Sequence, residues 1–527
     1  MKRPLLLNGF MATGKSTVGR LIAQETGTPF VDLDAAIEAA AGASIPEIFN
    51  NEGEAGFRDR EHRALSDLLE TPIAQVIALG GGALLMREIR LTAMDRGVVV
   101  CLHAELSELI TRAGADGSRP LLAGPNPQAQ IERLLTLRSP AYEEAHCQVN
   151  TGGRDPTEIA EEIRKFWQRD PMGVAAGSSS YAVDIGRSLV ATILPPQLSS
   201  ASSAILVTDA NVGPLHGDGT QTAMESTGLS VSRYTLTPGE EHKTIAAVEK
   251  IWKHAQSQGA DRSTIFVGLG GGVCTDMTGF ASASWMRGTP WIGLPTTMLA
   301  MVDASVGGKT AVDLGAGKNA VGAFWQPRGV ICDVDFLQTE SARGFKSALA
   351  EVVKTALIGD SKLFELLEKS PRDVLARDPD LTTELVRRCI RVKSHIVGLD
   401  AREGGVRATL NLGHTLGHAL EAYGGYGKLT HGEAISLGLV AALQVGVRLG
   451  LTPPELSERT TRLLQQLDLP TDLAKQPLVK ATSLLTHDKK RIGKSIKFIA
   501  AKAIGDVLTI SLPVDDLAAE AAAIAKL

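Results

Sequence analysis

Two stretches of this chain carry residue types that hold phosphate and metal. The first, "GFMATGKST", fits G-x-x-x-x-G-K-[ST] with Gly9, Gly14, Lys15 and Ser16, followed by Thr17. Glycines let backbone N–H groups close on phosphate oxygens, and a helix N-terminus adds its dipole. The lysine neutralises the β- and γ-phosphates, and the serine hydroxyl ligates Mg2+. The second, "NLGHTLGHALEAYGGYGKLTHGE", holds His414, His418 and His431, three of the chain's eleven histidines. His414 and His418 stand at i and i+4, so they share one helix face. Spacing alone makes both of them metal ligands. No glutamate follows His414, so the H-E-x-x-H pattern is not met, and an HxxxH pair also serves purely structural ends.

Such residues need rigid elements behind them. With 527 residues, the chain is long enough for two to four domains. Hydrophobic residues make up 44% and aromatics only 4%, so the cores rest on Ala, Val, Leu and Ile. A net charge of −5 gives no reason to expect nucleic acid or an anionic membrane. The opening "MKRPLLLNGF" is too short in apolar residues for a signal-peptide core, and no run approaches the roughly 18 apolar residues of a membrane span. Cys101, Cys147, Cys274, Cys332 and Cys389 are scattered without a CxxC, as in a reduced cytoplasmic protein.

Apolar runs alternate with amphipathic segments over residues 1–168: "PLLLNGF", "QVIALGGG" and "GVVVCLHA" read as buried parallel strands. "RDPMGVAAGSSS" is small, polar and aperiodic, which predicts a linker over 169–180. Strands return in "SAILVTDANV", "STIFVGLGGG", "PWIGLPTT" and "GVICDVDF" across 181–336. Helical periodicity then takes over in 337–527, where the strands are expected to stop. The fold class is therefore α/β, with a P-loop parallel-sheet domain followed by a second α/β domain and a helical one.

Further candidates lie around the two motifs. In the first part, "FVDLDAAIE" places Asp32 and Asp34 two apart at a strand end, and "GFRDREH" supplies Arg58. "ALGGGALL" supplies Gly80, Gly81 and Gly82, "GSRPLL" Arg119, and "LRSPAYEEA" Arg138. Taken singly, each arginine is as readily a solvated surface residue. In the second part, "ALAEVVKTAL" sets Glu351 and Lys354 on one otherwise apolar helix face. "GGGVCTDMTGF" offers Gly270 to Gly272 and Asp276 as a pyrophosphate turn opening a helix. "PTTMLAMVDASVGGKTAVDLGAGKN" gathers Thr296, Thr297, Asp303, Lys309, Lys318 and Asn319, and its lysines suit a phosphorylated substrate.

From Met1 to about Trp167 these segments resemble shikimate kinase, of the P-loop nucleoside-monophosphate-kinase-like class. The resemblance implies that Asp34, Arg58, Arg138 and the Gly80–Gly82 turn hold shikimate. It puts Ser16 and Asp32 on Mg2+, and ATP on Gly9, Gly14, Lys15, Ser16, Thr17 and Arg119, the last closing as a lid. Lys15, Arg119 and Asp34 would be the reacting set, with Asp34 placed to take the proton of the attacking hydroxyl. Arginine forks suit a carboxylated acceptor, although another small polyol, such as gluconate, stays open.

From about Tyr181 onward, "VDASVGGKTAVD", "AEVVKTALI", "NLGHTLGHALE" and "HGEAISLG" resemble 3-dehydroquinate synthase and its sugar-phosphate cyclase relatives. The resemblance implies a Rossmann-like α/β domain with an all-α domain. It places a divalent metal, zinc or alternatively cobalt, on Glu351, His414 and His431, and moves His418 to the substrate phosphate. NAD would lie on Asp209, Asn211, Glu240, Lys243, Gly271, Gly272, Asp276, Thr296, Thr297 and Lys318. Substrate would be surrounded by Arg287, Asp303, Lys309, Asn319, Lys354, Lys393, Arg407, Asn411, His418 and one lysine of "HDKKRIGK" (Lys489 or Lys490). Lys309, Lys354, His418 and Asp303 would be the reacting groups among them. The implied reaction converts 3-deoxy-D-arabino-heptulosonate 7-phosphate to 3-dehydroquinate and phosphate, with NAD restored in each turnover. A related cyclase, or a metal-dependent alcohol dehydrogenase of similar architecture, stays open for this half. Expected partners are these small molecules, with no nucleic acid and no membrane, and a homodimer formed through the second half.

Overall fold

The computed structural model describes residues 3–71, 73–114, 127–315, 317–402, 404–425, 428–487, 491–492 and 495–525. The chain divides into two compact units, Met1–Asp184 and Ile185–Leu527. Among the described residues no helix is long and apolar enough to cross a membrane.

In the first unit five strands form a parallel sheet: β1 (Leu5–Gly9), β2 (Phe30–Asp32), β3 (Val76–Ala78), β4 (Val98–His103) and β5 (Cys147–Asn150), ordered β2-β3-β1-β4-β5. Helices cover both faces, so successive residues of one strand bury into different cores. Val99 and Cys101 pack with Leu6 and Ile77 on one side; Val98, Val100 and Leu102 pack with Leu5 and Leu7 on the other. Because the strands are parallel, the turns after β1, β2 and β3 all open at one edge, where open α/β sheets bind ligands.

The segment 169–180 is not a linker. Met172–Val174 forms β6, which pairs antiparallel with β7 (Tyr181–Gly186), Met172 opposite Val183 and Val174 opposite Tyr181. Met172, Val174 and Ala175 are 3%, 0% and 3% exposed. Arg3 donates to Asp170 (2.8 Å), and Gly177 N–H donates to the buried Glu144 carboxylate (3.1 Å). Backbone pairing and two burial sites hold a stretch whose composition is that of a loop. Cutting between Met172 and Ser179 is therefore expected to destabilise the first unit. Fully burying a Met or Val is worth about 1.5–3 kcal/mol, and about 1 kcal/mol moves the melting point of a domain this size by roughly 2–4 °C. A protease site inserted there in the full chain gives the test: melting of the first unit should fall by several degrees after cleavage, and unchanged melting would restore the linker reading.

The second unit carries β8 (Ala204–Asp209), β9 (Val231–Leu236), β10 (Ile265–Gly270), β11 (Trp291–Pro295), the hairpin β12 (Lys309–Leu314) and β13 (Gly317–Phe324), and β14 (Gly329–Asp333). The parallel run is ordered β14-β11-β10-β8-β9. Helices dominate beyond it: Ala342–Gly359, Pro379–Leu399, His414–Gly424, His431–Arg448 and Pro454–Gln466. Strands nevertheless do not stop at Leu337. Ser495–Ala503 and Asp506–Pro513 form an antiparallel hairpin, so the helical part is not all-α. Its first strand, "SIKFIAAKA", buries Ile496, Phe498, Ile499 and Ala500 as a short apolar run, which periodicity alone cannot tell from a helix.

Helix contacts in this part are close. A Cβ on Gly432 would fall 1.8 Å from the Ser347 carbonyl oxygen, so only glycine lets the start of the His431–Arg448 helix press on the Ala342–Gly359 helix. The Ser347 hydroxyl meets the Thr430 hydroxyl at 2.7 Å and accepts from Gly432 N–H at 3.1 Å. Glu351 follows Ser347 by one helical turn, so this contact brings it level with His431.

Candidate active sites

In the first unit, Lys15 opens the helix after the P-loop, with Gly14 as N-cap in the left-handed region (φ 91°). Lys15 Nζ donates to the carbonyls of Gly9 and Phe10, both at 2.9 Å, so it arches over its own loop. Ser16 Oγ donates to Asp32 Oδ2 at 2.8 Å, which places a hydroxyl and a carboxylate side by side as a Mg2+ site of hard oxygens requires.

The acceptor residues converge on the turn after β3. A Cβ on Gly80 would lie 2.6 Å from Asp34 Oδ1, and one on Gly82 2.4 Å from an Arg58 nitrogen; side chains there would displace both groups. Arg138, 4% exposed, donates to the Gly81 carbonyl at 3.1 Å, and Tyr142 OH donates to the same oxygen at 2.6 Å. Burial, then the neighbouring Asp32, pushes the Asp34 carboxyl above its ordinary range. Arg119 lies outside the described residues.

Glu61, in the same "GFRDREH" stretch as Arg58, joins this cluster without a motif of its own. It is 1% exposed, sits 2.5 Å from Arg58, and one oxygen lies 2.7 Å from a Cβ built on Gly80. Burial raises its pKa despite the nearby guanidinium. The signal was its position three residues after Arg58, one helical turn.

In the second unit, the helix Gly272–Ser284 starts directly after β10 with Gly271 as N-cap. Thr296 and Thr297 follow β11, next in the sheet; Thr296 N–H donates to the Gly270 carbonyl (3.0 Å), and the Thr297 methyl lies 3.3 Å from a Cβ built on Gly271. Asp209 ends β8 and accepts from the N–H groups of Asn211 and Val212. Lys243 Nζ donates to Asp276 (2.6 Å) and to Asn319 (2.5 Å). Burial pushes Asp276 up to about 6, against the pull of Lys243; Glu240 adds to the rise.

The charged core lies among the helices. Glu351 and Lys354 are 1% and 2% exposed and form an ion pair. Lys393 pairs with Asp303 at 2.5 Å, and Arg407, 2% exposed, donates to the carbonyls of Ala401 (2.8 Å) and Gly307 (3.3 Å). Burial alone would raise Asp303, but Lys393 and Lys354 hold it down at about 2. Burial lowers Lys393 below the ordinary lysine range even beside Asp303.

Glu351 Oε1 lies 3.4 Å from His414 Nε2 and 3.3 Å from His431 Nε2, yet neither Glu351 oxygen accepts a well-formed hydrogen bond. The other nitrogens are engaged elsewhere: His414 Nδ1 faces the Leu412 carbonyl at 3.2 Å, and His431 Nδ1 faces Glu421 Oε2 at 3.5 Å. Two imidazoles thus turn the same nitrogen toward one buried carboxylate, an arrangement that fits a divalent ion on two nitrogens and one oxygen. Burial would lower His431, but Glu351 and Glu421 on either side hold it up at about 9. His418 is exposed, and one nitrogen of each of His414, His418 and His431 lies within 4.8 Å of the others, so a three-histidine set competes with the Glu351 set.

Other predicted residues are more spread. Lys318 pairs with Glu421 at 2.8 Å, which puts it beside the histidines. Lys309 begins β12, Asn411 ends a 3-10 turn, and Arg287 stands exposed on a left-handed turn (φ 70°). Lys489 and Lys490 lie outside the described residues. Glu421 belongs to the same motif as His414, seven residues on and two turns along the same face.

A family model of shikimate kinase matches residues 11–168, and models of the N-terminal and C-terminal parts of 3-dehydroquinate synthase match 233–347 and 348–491. Among solved structures, a 2-deoxy-scyllo-inosose synthase complexed with carbaglucose-6-phosphate, NAD+ and Co2+ is 25% identical, with a TM-score of 0.61, over 67% of this chain and 99% of that one. A 2-epi-5-epi-valiolone synthase from Streptomyces hygroscopicus subsp. jinggangensis 5008, with NAD+ and Zn2+ bound, is 24% identical over 65% of this chain and 96% of that one, TM-score 0.60. The shikimate kinase from Acinetobacter baumannii in complex with shikimate is 38% identical over 32% of this chain and 93% of that one, TM-score 0.30.

Proposed function

Since the chain belongs to the shikimate kinase family over residues 11–168 and to the 3-dehydroquinate synthase family over 233–491, we propose the residues by which each unit does its work. The protein is a bifunctional enzyme of the shikimate pathway. One unit phosphorylates shikimate with ATP and Mg2+; the other converts 3-deoxy-D-arabino-heptulosonate 7-phosphate to 3-dehydroquinate and phosphate with NAD and a divalent metal. The observation that carries the proposal is that each unit gathers its own cluster of charged side chains: Asp34, Arg58 and Arg138 on one glycine turn, and Lys354 and Lys393 paired with Glu351 and Asp303.

In the kinase, Arg58 and Arg138 bind the acceptor carboxylate and Asp34 its hydroxyls, taking the proton as the oxygen attacks. Lys15 carries phosphate charge. Ser16 and Asp32 hold Mg2+. In the synthase, Glu351, His414 and His431 hold the metal, and the turns at Asp209, Gly271 and Thr296 take the dinucleotide. A divalent metal held there would make a substrate hydroxyl more acidic, and bound NAD would supply a reversible hydride acceptor. Lys354, Lys393 and Arg407 orient the substrate's acidic groups, and His418 faces its phosphate. The dinucleotide set extends to Lys243 and Asp276, and the substrate set to Lys309, Asn319, Asn411 and one lysine of "HDKKRIGK" (Lys489 or Lys490). The resemblance of the second half also supports a homodimer in the cytoplasm, which a solution mass of one chain would contradict.

Chelation separates the two activities. It is expected to abolish phosphate release from the heptulosonate phosphate and to spare shikimate-dependent ADP formation once Mg2+ is restored. NADH absorbance should stay flat during synthase turnover, since the hydride returns within each cycle. NADH growing in step with substrate consumption would support a dehydrogenase instead.

A further inference from the structure

We propose that Glu421 is a positioning residue for the metal-binding imidazole of His431, and that Lys318 anchors it from the β12–β13 hairpin. The proposal rests on the reading of Glu351, His414 and His431 as the metal set.

Glu421 is 7% exposed on the helix that also bears His414. One oxygen, Oε2, lies 3.5 Å from His431 Nδ1; the other accepts from Lys318 Nζ at 2.8 Å. The imidazole therefore stands between two carboxylates, with Glu351 at 3.3 Å on its Nε2 side. Of the two, Glu421 meets the Nδ1 side, while the Nε2 side faces Glu351. That direction matters. An N–H on Nδ1 pointing at Glu421 leaves the Nε2 lone pair aimed at the position beside Glu351, fixes the ring, and raises its basicity as a ligand. His414 receives the same treatment from a neutral partner, the Leu412 carbonyl. The two ligands are thus held by acceptors of different strength, the charged one behind His431.

A buried carboxylate is costly without a cation. Lys318 supplies that cation from a segment 103 residues away. Its neighbour Asn319 reaches the Lys243–Asp276 pair instead. Adjacent residues of β13 therefore join the histidine side and the dinucleotide side of the unit, and Glu421 is where the hairpin meets a metal ligand.

The test uses the full chain stripped of metal and titrated with Co2+ against a competing chelator, for wild type, E421Q, E421A and H431A. NAD affinity and melting of the metal-free chain are measured alongside. E421A should bind Co2+ roughly 10- to 100-fold more weakly, the usual consequence of losing such a partner. E421Q, which keeps the volume and an acceptor oxygen, should fall between E421A and wild type. NAD affinity should fall by less than Co2+ affinity in both, whereas a general loosening of the unit would lower the two alike. Wild-type Co2+ affinity in E421Q and E421A, or NAD affinity falling in the same proportion as Co2+, overturns the proposal. If E421A does not fold, E421Q decides alone, and unchanged affinity there overturns it. H431A keeping wild-type Co2+ affinity would instead overturn the metal assignment beneath it.

Discussion

Alanine at His431 is expected to strip the divalent metal from the second unit and to cut 3-dehydroquinate formation on the order of 10³-fold or more. Lewis-acid polarisation is worth several kcal/mol of barrier, and each 1.36 kcal/mol is tenfold in rate. The Glu351 set and the three-histidine set differ in what else they predict. If Glu351, His414 and His431 bind the ion, E351Q loses metal and H418A keeps it while slowing the reaction. If the three histidines bind it, H418A loses metal and E351Q keeps it. The geometry favours the first outcome, because both imidazole Nε2 atoms face Glu351 Oε1, at 3.4 and 3.3 Å, and His418 is exposed. Elemental analysis of the purified variants decides between them. Kinase activity should be unchanged in all of them.

The second large effect is at Asp34. Asp34→Asn should keep ATP binding, because Lys15 and the loop backbone remain, and should lower shikimate phosphorylation by roughly 10²–10⁴-fold, the usual yield of a positioned base. The pH profile carries a sign. Asp34 serves as base only when ionised, and burial raises its pKa above the ordinary carboxylate range. Wild-type kcat/KM should therefore fall as pH drops through that raised value, and the limb should vanish from the residual activity of the variant. Near-normal turnover by D34N, or an unchanged acid limb, would remove Asp34 from the reaction.

Much of this was legible in the sequence because the informative residues sit in local patterns. The P-loop needs only a strand, five positions and a helix start, and it forms as its spacing requires. "VVVCLH" and "IFVGLG" are buried on both faces, so their unbroken apolar runs read directly as parallel strands. The convergence of Gly80 on Asp34 and of Gly82 on Arg58 was implied only by family resemblance, since residues 46 and 24 apart in sequence share no local signal. Glu61 and Glu421 escaped because each stands on a helix where a carboxylate is ordinarily a solvated residue; their spacing from Arg58 and His414 is common, and burial sets them apart. The 169–180 stretch misled for the opposite reason. Its small residues carry no period, while its strand is fixed by backbone pairing and by Glu144 and Arg3, neither of which is nearby in the chain.

The most direct test assays one preparation of the full chain for both products, beside Lys15→Ala and His431→Ala. Wild type should yield ADP with shikimate, and 3-dehydroquinate with free phosphate from 3-deoxy-D-arabino-heptulosonate 7-phosphate. K15A should lose only the first reaction and H431A only the second. A wild-type chain that fails to make either product, or a single substitution that abolishes both, would contradict two enzymes working side by side in one polypeptide.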